Sequence, residues 1–230
     1  MSLPYFVSYP RCGSQWVQCA LEKYLGKPRG YMEGAKLRKP ALSYVEGDDF
    51  AWVHSHDLEH TLVVSPLRTI FMLRDPVDSI FSHSMAYGVL SEETMRVMTS
   101  AFITTACRFI KSGVVVRYES FRNPSLREDE FRKLVDFFGV EWDGARAVKC
   151  LEWVKRDEII AKAQSSGDLA TGQYFHPRMQ EVKYEQYREF FRKHYAKYIY
   201  DQCVRREQIV AYIREYVEGH RERLQGRGVA

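Results

Sequence analysis

Apolar positions in this chain follow two rhythms, short unbroken runs and longer stretches with helical spacing, and the two alternate. Residues 5–7 (Tyr-Phe-Val) make the first run. A turn rich in Pro and Gly follows, and then Trp16, Val17, Ala20, Leu21, Tyr24 and Leu25 recur as the stripe of a helix. Residues 51–54 read as a short strand ending in His54-Ser-His56. Thr69-Ile-Phe-Met-Leu73 is a continuous run of the kind found in parallel strands buried on both faces. It stops at Arg74, and Asp75-Pro76 opens a helix, with Asp as N-cap, Pro at the first position and Asp78 in the first turn. A helix over 92–110 is followed by Gly113-Val-Val-Val-Arg117, a further buried strand that ends in Tyr118-Glu119. Helices are predicted over 126–138, 144–155, 184–200 and 204–224. This alternation predicts an α/β fold of three layers, a central and mostly parallel sheet flanked by helices.

At 230 residues one domain spanning 1–230 is expected. Two stretches interrupt the pattern. Residues 26–50 carry Lys27, Arg29, Lys36, Arg38 and Lys39, and read either as a solvated excursion or as a basic flap. Residues 163–178 are polar and contain glycine, a second flexible loop. The C-terminal helix and tail, 204–230, put Ile209, Val210, Ile213 and Val217 on one face, which packs on the body or pairs with a second copy in a homodimer.

Composition narrows the classes further. Hydrophobic residues make up 45% of the chain, so disorder is not expected. No apolar run approaches the 18 or so residues of a membrane span, and no secretory leader is apparent. Five scattered cysteines without C-x-x-C favour neither zinc nor a disulfide framework; a reducing cytoplasm is expected. A net charge of +4 suits a small polyanion, whereas nucleic acid needs a denser basic stripe.

The candidate chemistry gathers at strand ends. Strand, glycine turn and helix N-terminus after residue 7 form an anion cradle, with Ser14 expected as N-cap and Arg11 as a fixed charge. The loop is P-loop-like but not Walker A, since no Gly-Lys-Ser/Thr occurs. Arg11/Ser14, His54/His56, Arg74/Asp75 and Tyr118/Glu119 each leave a predicted strand, and ligands of open parallel sheets bind beyond the carboxyl ends of strands. The four exits therefore describe one site.

Ser8-Tyr-Pro-Arg-Cys-Gly-Ser-Gln-Trp16 resembles the phosphosulfate loop, Y-P-[KR]-S-G-T-T-W, of sulfotransferases that use 3′-phosphoadenylyl sulfate (PAPS). Ile70-Phe-Met-Leu-Arg-Asp-Pro-Val-Asp-Ser-Ile-Phe-Ser82 is similar to their 3′-phosphate element, R-[DN]-P-x-D-x-x-x-S, and Val116-Arg-Tyr-Glu119 to their V-R-Y-E-D segment. The resemblance implies an enzyme that moves a sulfuryl group from PAPS to a hydroxyl without metal, releasing adenosine 3′,5′-bisphosphate. It implies that Arg11 sits on the oxygen joining sulfur to phosphate, and that Cys12, Gly13, Ser14 and Gln15 line the 5′-phosphate. Trp16 and Tyr118 would meet adenine, and Arg74 with Ser82 would grip the 3′-phosphate. Val53-His-Ser-His56 aligns with the V-K-T-H segment, which makes His56 the general base and His54 the alternative; His60 is expected on the surface.

The chain leaves that pattern at Cys12, at Gln15 and at Ser120, and the C-terminal R-K-G-x-x-G-x-W loop is not recognisable. Arg178, in Thr171-Gly-Gln-Tyr-Phe-His-Pro-Arg178, is the candidate to complete the 3′-phosphate site. Cys12 is either a small packing residue or an activated thiol. Met85, Tyr87, Met95, Met98 and Phe102 are core or line an acceptor pocket, and Arg117 and Arg122 read as surface charges. The acceptor implied is a hydroxyl-bearing small molecule, sugar or natural product. Two other classes stay open, a kinase-like phosphotransferase using Asp75 and a metal, and a nucleotide-binding module without turnover.

Overall fold

A computed structural model describes residues 3–33, 36–39, 45, 47–56, 68–87, 91–111, 113–153 and 181–226. Six strands form one sheet: β1 (Tyr5–Ser8), β2 (Gly30–Glu33), β3 (Lys36–Arg38), β4 (Val53–Ser55), β5 (Thr69–Leu73) and β6 (Val114–Arg117). Their order is β3-β2-β4-β1-β5-β6. β4, β1, β5 and β6 run parallel, as does the β2–β4 pair, while β3 returns antiparallel on β2. The helices are α1 (Ser14–Leu25), α2 (Pro76–Tyr87), α3 (Glu92–Phe109), α4 (Tyr118–Arg122), α5 (Arg127–Phe137), α6 (Gly144–Trp153), α7 (Glu181–Val204) and α8 (Glu207–Gly226).

The pleat explains the three layers. Successive strand residues face opposite sides, and both sides here are apolar. Phe6, Ile70, Met72 and Val116 point into one core with α1, α4, α5 and α6. Val7, Phe71 and Leu73 point into the other, covered by α2, α3, α7 and α8. Strands buried on both faces need continuous apolar runs, which is what residues 69–73 supply. Met85, Met95 and Phe102 are part of the second core, as is the apolar face of α8 through Ile209, Ile213 and Val217. Burying each such side chain contributes roughly 1.5–3 kcal/mol.

Two expectations change. The 26–50 stretch contains the strands β2 and β3, and Arg29 within it is fully buried rather than solvated. Arg117 is not a free surface charge: its guanidinium pairs with Glu215 and donates to the Tyr212 carbonyl at 3.1 Å, tying β6 to α8. The 163–178 loop with Arg178, and His60, lie outside the described residues. Among the described residues no helix is long and apolar enough to cross a membrane.

Candidate functional site

The loop after β1 owes its shape to two backbone exceptions. Arg11 takes φ 68° and Gly13 φ 79°, both in the left-handed region. For an arginine this costs roughly 1–2 kcal/mol, so the surrounding contacts must hold it there. Ser14 is not the N-cap of α1. Gly13 occupies that position, no side chain among the described residues caps the helix, and no acidic residue stands in its first turn. By contrast α2 is capped by Asp75, whose Oδ1 accepts the Val77 amide at 2.9 Å, and α3 by Ser91. The first amides of α1 therefore keep their donors and the positive dipole end for an anion. Ser14 is instead the first helical residue, and its Oγ accepts a hydrogen bond from Ser8 Oγ at 3.2 Å.

The second motif closes on this loop. Arg74 Nη1 donates to the Arg11 carbonyl at 2.7 Å, and Arg11 Nε donates to Ser82 Oγ at 3.3 Å. The Arg74 guanidinium lies over the Tyr118 ring, 4.5 Å from its centre. That ring packs so closely on Gly13 that a Cβ there would stand 2.4 Å from Tyr118 Cε2. Thus Arg11, Gly13, Arg74, Ser82 and Tyr118, scattered over the sequence, meet at the carboxyl edge of β1, β5 and β6. Among the described residues, Arg74 Nε is buried without a hydrogen-bond partner. A buried donor so left costs on the order of 1–3 kcal/mol until an acceptor arrives. Two cations, an orphaned guanidinium nitrogen and an uncapped helix fit a multiply charged anion.

His56 leaves β4 beside the same edge. Its Nδ1 lies 3.0 Å from the Ser8 carbonyl, an oxygen that can only accept. Nδ1 therefore carries the proton, and Nε2 keeps its lone pair. Burial lowers the His56 pKa from its ordinary value; the Ser8 carbonyl works against that, and the Arg11 cation adds to it. His54 stacks edge-on against His56, ring centres 4.7 Å apart, with its Nε2 buried and without a partner among the described residues. Burial, His56 and Arg29 hold it well below the usual histidine range.

Several expected residues have other surroundings. The Cys12 side chain turns into the core, fully buried, with Sγ 3.4 Å from Ser79 Oγ. Burial pushes its pKa up to about 12, so it is a packing thiol and not an activated one. Trp16 is half-buried, edge-on to Phe121 at 6.2 Å. Gln15 is held by the buried Arg29, whose Nη2 donates to Gln15 Oε1 at 2.6 Å. Glu119 is an anchor: its Oε1 accepts the Asp75 amide at 3.0 Å and its Oε2 the Tyr216 hydroxyl at 2.6 Å.

Sequence reasoning missed three groups. His83 is buried beside Ser82, with Nδ1 2.7 Å from the Tyr9 hydroxyl. Burial, with His56 and Arg11 nearby, lowers its pKa to about 4. Its place one residue after Ser82, on a helix already assigned to the site, was the available signal. The other two are arginines of α7. Arg188 grips Asp78 through Nε and Nη2 at 3.0 and 2.6 Å, and Arg192 Nη2 reaches Asp75 at 2.8 Å. Tyr200 adds its hydroxyl to both Asp75 oxygens, at 3.0 and 3.1 Å. Burial would raise the Asp78 pKa, but the two guanidinium groups outweigh it and leave it lowered.

In sequence, the chain matches no family model and no curated protein. In structure it is similar to mouse sulfotransferase SULT7A1, whose crystal structure is a complex with PAP. The two share 15% identity and a TM-score of 0.58, over 95% of this chain and 89% of that one. The fold is that of a sulfotransferase. In this sulfotransferase-like fold the edge just described lies at the carboxyl ends of four adjacent strands, β4, β1, β5 and β6.

Proposed function

We propose that the protein is a sulfotransferase that moves a sulfuryl group from PAPS to an acceptor hydroxyl and releases adenosine 3′,5′-bisphosphate. The observation that carries this reading is the junction of Arg11, Arg74 and Ser82 beside an uncapped helix N-terminus, with His56 on the next strand. A lone phosphate needs only the loop; a second, 3′-phosphate gives Arg74 and its orphaned Nε something to bind. In the proposed arrangement Ser14, Gln15 and the first amides of α1 hold the 5′-phosphate, and Arg74 with Ser82 holds the 3′-phosphate. Tyr118 and Trp16 flank the adenine.

PAPS supplies a sulfuryl group already joined to a good leaving group, so the protein's work is positioning and charge stabilisation. The acceptor oxygen forms its new bond to sulfur as the bond from sulfur to the 5′-phosphate oxygen breaks. Arg11 stabilises the charge that collects on that phosphate. His56 takes the acceptor proton on Nε2, the nitrogen left unprotonated by the Ser8 carbonyl, and its lowered pKa keeps it neutral and ready near pH 7. The acceptor is a hydroxyl-bearing small molecule, sugar or natural product, met in the cytoplasm. A kinase-like reading needs Asp75 free for a metal, and Asp75 is occupied by Arg192, Tyr200 and the Val77 amide.

Calorimetric titration with adenosine 3′,5′-bisphosphate and with ATP plus Mg²⁺ tests the donor. Tight binding of the bisphosphate is expected, and a preference for ATP with Mg²⁺ would refute the reading. With a panel of hydroxyl acceptors and labelled donor, His56→Ala is expected to lose turnover by 10²-fold or more, as for loss of a general base, while bisphosphate affinity stays unchanged. Full activity in that variant would remove His56 from the mechanism, and no turnover by the parent with any acceptor would leave a binding module.

A further inference from the structure

The geometry points to Arg29 as a positioning residue that holds Gln15 with its amide nitrogen offered to the 5′-phosphate, an inference that rests on the reading above. Arg29 and Glu22 are both completely enclosed, and their ion pair spans 2.9 Å. The other Glu22 oxygen accepts the Arg29 backbone amide at 2.9 Å, so one carboxylate fixes both the chain and the guanidinium. The second arm of the guanidinium then reaches Gln15 Oε1 at 2.6 Å. An arginine can only donate, so the end of the glutamine amide that faces it must be the carbonyl. Nε2, with its two hydrogens, becomes the outward end.

Gln15 is the second residue of α1, on the turn where no side chain caps the helix. The loop that this one resembles carries a threonine hydroxyl at that place. A hydroxyl is short and rotates to suit any partner. An amide is longer, has a donor end and an acceptor end, and turned the wrong way would set an oxygen against a phosphate. Arg29 removes that ambiguity, and Glu22 holds Arg29. The three residues form one unit, anion to Gln15 to Arg29 to Glu22, built from groups that a substitution to the usual threonine would leave without purpose. A buried guanidinium on the far side of the amide also polarises it and strengthens Nε2 as a donor.

The test is a coupling measurement on the full chain, by calorimetry with adenosine 3′,5′-bisphosphate and adenosine 5′-monophosphate. Gln15→Ala is expected to weaken both ligands about tenfold, the worth of a hydrogen bond to a charged group. Removing Arg29 alone would strand a buried carboxylate, so Glu22→Leu and Arg29→Met are made together, which takes out both charges. That pair is expected to weaken both ligands about tenfold, and Gln15→Ala added to it is expected to cost nothing more. Gln15→Thr, which needs no orientation, is expected to bind equally well with or without the pair. If Gln15→Ala costs the same factor in both backgrounds, Arg29 is only structural and the inference falls. Should the paired variant not fold, Gln15→Glu decides: it keeps a partner for Arg29 and the parent's urea midpoint, and is expected to lose the bisphosphate. Binding at the parent's level there would equally overturn the inference. Failure of the parent itself to bind any adenosine phosphate would instead refute the proposed function.

Discussion

Gly13 joins the anion loop to the ring of Tyr118, the first residue of α4, and replacing it with alanine separates backbone strain from ring contact. Gly13 has φ 79°, and a Cβ built on it lies 2.4 Å from Tyr118 Cε2 and 2.6 Å from Cδ2. Gly26, at the end of α1, has φ 68° and nothing within 4 Å of such a Cβ. Both substitutions incur the left-handed penalty of an L-residue, roughly 1–2 kcal/mol. Only Gly13→Ala must also push an aromatic ring aside. That ring carries the Arg74 guanidinium at 4.5 Å, a contact worth roughly 0.5–2 kcal/mol. Urea unfolding is therefore expected to show a loss of about 1 kcal/mol for Gly26→Ala and about 2–4 kcal/mol for Gly13→Ala. Calorimetry should show bisphosphate affinity unchanged in Gly26→Ala and reduced in Gly13→Ala, because Tyr118 and Arg74 move together. Equal losses of stability in the two variants, with equal affinities, would show that Tyr118 does not press on the loop and would refute the reasoning.

Other expectations concern the buried charges. His83 falls from 6.5 to about 4 on folding, so the unfolded chain binds more protons between those values and stability drops as pH falls through that window. At about 1.4 kcal/mol per pH unit the loss reaches about 3 kcal/mol by pH 4; urea midpoints for the parent and for His83→Gln should converge as pH is lowered, and parallel losses would contradict this. Tyr200→Phe removes the hydroxyl held at 3.0 and 3.1 Å from the Asp75 oxygens. A cost of about 1.5–3 kcal/mol in urea unfolding is expected, and an unchanged midpoint would mean that α7 does not anchor Asp75.

What the sequence showed well was local. Residues 69–73 declare a strand buried on both faces because every side chain is apolar, and Asp75-Pro76 marks a helix start from two adjacent residues. The carboxyl-edge cluster followed from four such strand exits. The strands β2 and β3 were hidden because three or four residues are too few for a period, and the basic residues around them resemble a solvated loop. Arg29 was misread for the same reason: its charge is answered by Glu22, a partner on the preceding helix that only folding brings alongside. Arg188 and Arg192 meet Asp78 and Asp75 across more than a hundred residues, a pairing that no local pattern encodes. Ser14 has the right chemistry for an N-cap, but Gly13 alone tolerates the backbone needed there, and the helix is left open for a ligand.

The central claim is that this edge recognises two phosphates on one nucleoside. It is tested most directly by the ratio of affinities for adenosine 3′,5′-bisphosphate and adenosine 5′-monophosphate, in the parent and in Arg74→Ala. Charge-assisted contacts to the 3′-phosphate should favour the bisphosphate by about 10²-fold in the parent, and Arg74→Ala should bring the ratio close to one by weakening the bisphosphate alone. A parent that binds the two nucleotides equally well would contradict the claim.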